Sequence, residues 1–208
     1  MDNLDSQLRF VLEADRLKSV LRVSTLCDGS RRENSAEHSW HLALMATVLG
    51  QYAPPGADLT RVTTMVLLHD LVEIDAGDLY VYADEAAHER QAAAERAAAE
   101  RLFGLLPPEQ GAALRALWFE FEERVTPDAI FARALDRLQP LLANYQASGR
   151  TWQANGITAD QVLARVHLIE EGSAALGEYA RNLVADAVRH GYLAPAPDTD
   201  SGESIHTA

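Results

Sequence analysis

The chain has almost no cysteine and almost no lysine. Cys27 is the single cysteine among 208 residues. That excludes a disulfide within the chain and any multi-cysteine zinc site. No nucleophile-type context surrounds Cys27, so it reads as an ordinary thiol. Lys18 is the only lysine, and every other basic side chain besides histidine is an arginine. Positive charge is short overall: 18 Lys and Arg against 31 Asp and Glu leave a net charge of −13. Such a field repels long nucleic-acid backbones. A small phosphorylated substrate stays compatible, because a pocket can hold a few arginines beside a metal. No apolar run approaches the roughly 20 residues that span a bilayer. The first residues, MDNLDSQLRFVLEADRLK, are acidic and amphipathic and lack the basic start and apolar centre of a signal peptide. The expectation is a cytoplasmic protein with no membrane partner. Alternation at period two is also missing, so essentially no sheet is expected.

What is present is helical periodicity. Apolar spacing predicts helices over 4–21, from Ser35 to the stop at 52–56, and over 58–76. Further helices are predicted to about Phe103, over 109–124, from Thr126 onward, over 158–171 and over 174–190. Residues 22–34 read as a loop carrying Arg22, Arg31 and Arg32. Residues 1–190 read as one all-α domain, and 191–208 as a disordered tail.

The densest chemistry lies in 69-HDLVEIDAGD-78, directly after the apolar run Met65 to Leu68. On an ideal helix His69, Asp70 and Glu73 sit on adjoining faces. Gly77 then breaks the helix at Asp78. Burying so many polar groups is costly without partners, and a divalent metal suits imidazole plus carboxylate. Taken alone, an acidic helix end is as often a solvated face. His38 and His41 share one side of the second helix. Asp136 borders the apolar stripe of a later one; its alternatives are metal ligation and pairing with Arg133 or Arg137. His38, His69, Asp70 and Asp136 together offer two imidazoles and two carboxylates. That set suits Mn²⁺, Co²⁺, Fe²⁺ or Zn²⁺ better than Mg²⁺ or Ca²⁺.

With those residues in view, the sequence resembles the HD-domain metal-dependent phosphohydrolases, and within them the 5'-deoxynucleotidase-like branch. The first histidine lies in ENSAEHSW at 33–40, the His-Asp pair in HDLVEIDAGD, and the last Asp in ALDRLQPLL at 134–142. The likeness covers about residues 8–185. It implies an all-α HD-domain helical bundle with one divalent metal between helices, held by His38, His69, Asp70 and Asp136. It implies hydrolysis of the 5'-phosphate of a small (deoxy)nucleotide by metal-activated water. Glu73 and Asp78 match acidic positions that handle protons and orient water or substrate. Arg22 matches a phosphate-meeting basic position, with Arg31 and Arg32 as helpers. A homodimer is also implied. A Trp follows the matching Arg in the nucleotidase, whereas Val23 follows here, so base and sugar preference stay open. His88 reads as a surface residue and Asp75 as a helix-surface group. Two rivals stand beside this reading. One is an HD hydrolase acting on a triphosphate, a cyclic dinucleotide or a stringent-response nucleotide. The other is a non-catalytic, metal-containing helical binding module.

Overall fold

The structure is a computed structural model, and it describes residues 3–197. Its helices are α1 (Asn3–Ala14), α2 (Ser35–Leu49), α3 (Leu59–Leu68), α4 (Glu73–Ala76), α5 (Glu85–Phe103), α6 (Pro108–Glu123), α7 (Pro127–Gln146), α8 (Arg150–Ala154), α9 (Ala159–Gly172) and α10 (Ala174–Arg189). The all-α class expected from the periodicity holds. Among the described residues no helix is long and apolar enough to cross a membrane.

α7 is the hub. It packs against α9, α3, α6 and α2, and buries Phe131, Ala132, Leu135 and Leu138 along one stripe. Thr126 caps it by accepting from the Ala129 amide at 3.2 Å, with Pro127 in the first turn, where its missing N–H costs nothing. The helix runs through Pro140. α9 approaches α7 closely at Gly172, where a Cβ would lie 2.5 Å from the Ala134 Cβ. α2 begins at Ser35, and its N-cap is the preceding Asn34. Asn34 accepts from the Glu37 amide and Glu37 bonds back to the Asn34 amide, closing a capping box.

Four local expectations are corrected. The first predicted helix ends at Ala14, passes through a 3-10 turn at Asp15–Ser19, and gives way to a strand, β1 (Leu21–Thr25). The expected loop at 22–34 is an antiparallel hairpin of β1 with β2 (Arg32–Asn34), irregular between its ends. Its strands are too short and charged to show alternation; they are held by contacts of β1 with α7 and α8 and of β2 with α2. The segment 58–76 is not one helix. A 3-10 turn, His69–Val72, separates α3 from α4. The Trp118 indole donates to the His69 carbonyl at 3.0 Å, and the Glu73 amide bonds to the Asp70 and Leu71 carbonyls instead of closing an α-turn on His69. Part of the expected tail is also folded. Leu193 is buried, and the Ala159 amide donates to the Ala194 carbonyl at 2.9 Å. Residues 198–208 of that tail lie outside the described residues.

Candidate active site

α2, the 3-10 turn after α3, and α7 bring His38, His69 and Asp136 together. One ligand atom of each lies within 4.8 Å of the others, and all three side chains are buried. His38 Nε2 is 3.0 Å from Asp136 Oδ1, and His69 Nε2 is 3.8 Å from the same oxygen. Asp70 stands beside them, with Oδ1 2.9 Å from His69 Nε2. Three helical runs far apart in sequence thus meet at these side chains.

The surrounding hydrogen bonds decide where the imidazole protons go. The Gln139 amide nitrogen donates to Glu33 Oε1 at 2.9 Å and lies 3.3 Å from His41 Nδ1. That turns the Gln139 oxygen toward His38 Nδ1 at 3.1 Å, so Nδ1 carries the proton and donates. His69 Nδ1 likewise faces the Val66 carbonyl at 2.9 Å and donates to it. With Nδ1 turned outward, each ring presents its Nε2 to the Asp136 carboxylate, and His69 Nε2 has no hydrogen-bond partner. Ring nitrogens facing a carboxylate call for a positive charge between them. Burial pushes the His69 ring down, but Asp70 and Asp136 outweigh it and hold the ring up at about 10. A divalent cation satisfies the same demand without protonating the ring. The residues fit a divalent metal: His38, His69 and Asp136 as converging ligands, with Asp70 adjacent.

One wall of the cavity beside this cluster is carboxylic. The 3-10 winding, three residues per turn, stacks Asp70 above Glu73. Glu73 Oε2 accepts from Ser35 Oγ at 2.6 Å. Gly77, with φ +75°, turns the chain so that Asp78 reaches the cavity. Arg22 sits among these acids. Its Nη1 donates to Asp70 Oδ2 at 2.8 Å and lies 3.7 Å from Asp78 Oδ1, while its Nε is 3.8 Å from Glu33 Oε2. The charges sort by position. Burial drives Asp70 upward, but His69 and Arg22 hold it down at about 2. Burial likewise raises Asp136, and Arg137 and His38 overcome it, keeping the carboxylate well below the usual range. Burial and then the Asp70 charge push Glu73 well up. Asp78 is raised by burial against the pull of Arg22.

The opposite wall is built from α6 and α7 and is basic. The cavity, about 310 Å³, is lined there by Arg124, Arg133 and Arg137, with Phe121 and Glu122. Arg133 Nη1 donates to Asp136 Oδ2 at 3.3 Å, and Arg137 Nη2 lies 3.8 Å from the same oxygen. Burial, and then the neighbouring Arg133 charge, lowers Arg137 to about 9. From α5, His88, Gln91 and Glu95 complete the lining.

Of the residues singled out from sequence, the cavity gathers Arg22, His69, Asp70, Glu73, Asp78 and Asp136, and His38 stands behind them in the cluster. Arg31 and Arg32 are corrected as substrate residues, since neither lines the cavity. Arg31 makes a paired contact with Glu37 on the exposed surface. Arg32 donates to the Leu21 carbonyl at 2.9 Å and to the Arg22 carbonyl, bracing the hairpin. His88, read as a surface residue, is exposed yet at the cavity rim. Asp75 is a surface partner of Arg101. The arginine wall was missed as a wall. Its signal was the pair Arg133 and Arg137, four residues apart and flanking a carboxylate inside an apolar stripe.

Comparison with known proteins agrees with this geometry. The HD domain family model matches residues 14–176. The 5'-deoxynucleotidase HDDC2 of Xenopus laevis is 31% identical over 138 residues, 66% of this chain and 67% of that protein. Its Homo sapiens counterpart is 28% identical over 66% of each chain. The matched region thus spans about two thirds of each relative's length. A crystal structure described as a "Predicted metal-dependent phosphohydrolase" from Magnetospirillum magnetotacticum MS-1 superposes with a TM-score of 0.88 at 53% identity, covering 94% of this chain and all of that one. A conserved hypothetical protein from Pyrococcus furiosus shares the fold alone, at TM-score 0.57 and 18% identity.

Proposed function

The chain belongs to the HD domain family and is a metal-dependent phosphohydrolase, and from that premise we propose that it hydrolyses the 5'-phosphate of (deoxy)nucleoside monophosphates. The observation that carries the reading is the convergence of two imidazole Nε2 atoms on Asp136, with their Nδ1 atoms turned outward to Gln139 and Val66. His38, His69 and Asp136 would hold the ion, with Asp70 beside them as the fourth ligand. A divalent ion held there supplies a Lewis acid for the phosphoryl oxygens and a source of hydroxide near neutral pH. Glu73 and Asp78 handle the protons, one carboxyl taking the proton of the attacking water and the other delivering one to the leaving 5'-oxygen. The Ser35 hydroxyl fixes one Glu73 oxygen and leaves the other for that transfer. Arg22 keeps Asp70 oriented through its 2.8 Å bond. No serine or cysteine nucleophile is required. Relatives named as 5'-deoxynucleotidases support the choice of substrate, and the subunit arrangement that goes with the reading is a homodimer.

The test is phosphate release by protein loaded in turn with Mn²⁺, Co²⁺, Fe²⁺ or Zn²⁺. The panel contains nucleoside mono-, di- and triphosphates and bis-p-nitrophenyl phosphate. Turnover confined to 5'-monophosphates is the expected result. Turnover of triphosphates or diesters alone transfers the chain to the rival hydrolase reading, and no turnover with any metal favours a binding module. Asp70→Ala is expected to lose metal binding and about 1,000-fold in rate while keeping its helical circular dichroism. Full activity in that variant would sink the mechanism.

A further inference from the structure

Arg22, the arginine that sequence reasoning assigned to the phosphate, is already spent. Asp70 bonds it at 2.8 Å, and Asp78 and Glu33 stand within 3.8 Å. Its charge is shared among three carboxylates on its own side of the cavity.

The α6–α7 side is different. Arg137 has a side chain only 17% exposed, and its nearest carboxylate contact is Asp136 Oδ2 at 3.8 Å. The Nε atoms of Arg137 and Arg133, like that of Arg22, are shielded from solvent and have no hydrogen-bond partner; what separates the two sides is the number of carboxylates around each arginine. Arg124 has only Glu122, at 3.9 Å. It occupies the left-handed region with φ 59° at the end of α6, a conformation that is costly for a non-glycine residue and persists where the surroundings hold it. Arg133 and Arg137 lie four apart on α7 and so face the same way. Three guanidiniums thus line one wall of a cavity in a chain of net charge −13. The carboxylate oxygen that Arg133 and Arg137 share belongs to a metal ligand.

Buried guanidiniums ordinarily have carboxylate partners and satisfied donors. An arginine fork matches phosphoryl oxygens two at a time. The position of the wall fixes which phosphoryl group it meets. Asp136 turns Oδ2 to Arg133 and Arg137 and Oδ1 to the two histidines. The wall therefore lies one carboxylate's width from the metal cluster, where the scissile group reacts. We propose that Arg124, Arg133 and Arg137 form the phosphate-binding wall of this site, with Arg137 the principal donor to the phosphoryl oxygens of the scissile group. The assignment rests on the phosphohydrolase reading and adds the element that grips the substrate.

The experiment is calorimetric titration of inorganic phosphate into the full chain, with and without Mn²⁺, beside steady-state kinetics on a nucleoside 5'-monophosphate. Arg137→Met is expected to weaken phosphate binding at least about 10-fold in both conditions and to raise KM, because a bidentate charged contact is removed. Arg137→Lys keeps the charge without the fork and is expected to recover part of the loss. Arg124→Gln, at the more exposed rim, is expected to cost about 3-fold. Arg115→Gln, a surface arginine paired with Glu100 away from the cavity, controls for net charge and is expected to change nothing. A folded Arg137→Met protein that binds phosphate like the wild type overturns the proposal. Should Arg137→Met fail to fold, unchanged phosphate binding in both Arg137→Lys and Arg124→Gln overturns it equally. Arginine-dependent phosphate binding without hydrolysis of any nucleotide leaves this assignment standing and defeats the catalytic reading. Hydrolysis with arginine-independent phosphate binding does the reverse.

Discussion

The two walls of the cavity carry opposite charges and treat them in opposite ways. On the carboxylate wall Arg22 is enclosed by Asp70, Asp78 and Glu33, and the Glu73 carboxyl accepts from the Ser35 hydroxyl. On the arginine wall, Arg133 and Arg137 lean on one oxygen of Asp136, and Arg124 on a distant Glu122. The first wall gives its arginine three carboxylates within the protein and leaves its acids for metal and protons. The second has more guanidinium than carboxylate and suits an anion from outside.

The sharpest way to break that contrast is to remove one arginine from each wall and compare stabilities in metal-free protein. Arg22→Met strands Asp70, Asp78 and Glu33 together in a buried space. Leaving buried charges without their partner typically costs about 3–5 kcal/mol, and urea unfolding should read a loss of that size. Arg137→Met relieves a buried positive charge but takes one of two arginines from Asp136, which keeps Arg133, so its loss of unfolding free energy should be clearly smaller than that of Arg22→Met. Equal destabilisation by the two changes would show that both walls are structural and end the distinction.

The difference between the walls also explains what the sequence disclosed. The carboxylate wall is contiguous: His69, Asp70, Glu73 and Asp78 fall within ten residues, and the turn at Gly77 is written in the chain. His38 and Asp136 were recognisable because each sits on a helix whose other apolar residues demand burial. The bundle itself was legible from periodicity and from a start signal such as Thr126 before Pro127. The arginine wall is assembled from the end of α6 and one face of α7, and arginines on helices look like solvated charges until the tertiary contacts are known. Arg31 and Arg32 misled for the mirror reason. They lie near Arg22 in sequence, but the hairpin turns them onto the surface. The hairpin was invisible because its pairing comes from neighbours on α2, α7 and α8 rather than from its own alternation.

A second, smaller perturbation probes the ligands that the carboxylate wall supports. Gln139 reads out the state of Glu33 and sets the tautomer of His38 through a 3.1 Å contact. Gln139→Leu leaves the four candidate ligands in place and frees the His38 ring to turn or to change tautomer. Partners of this kind typically carry 10–100-fold in metal affinity, so competition with a chromogenic chelator should report a loss in that range. Gln139→Glu keeps an acceptor for His38 but sets a carboxylate against Glu33, and its affinity should fall between the two. An unaltered affinity in Gln139→Leu would mean that the buried ring is oriented by packing alone.

The smallest expected effect falls where the arginine wall has its best chance of compensation from within. Glu95 lines the cavity with Glu122, within reach of the Arg133 field. Burial and then the Glu122 charge push its carboxyl up to about 6 from an ordinary 4.5, so the arginine does not neutralise it. A raised carboxyl pKa means that the folded chain binds this proton more tightly than the unfolded chain. The ionisation penalty is therefore absent below about pH 4.5, grows between about 4.5 and 6, and is fully present above. Discounted for partial exposure to solvent, it amounts to about 1 kcal/mol at pH 7. Glu95→Gln should raise the unfolding free energy by that much at pH 7 and leave it unchanged at pH 4, measured by urea titration in metal-free protein. A Glu95 that titrates below its ordinary value, with Glu95→Gln destabilising at pH 7, would mean that the arginines already hold an internal carboxylate. The second wall would then give its arginines carboxylates within the protein, as the first does.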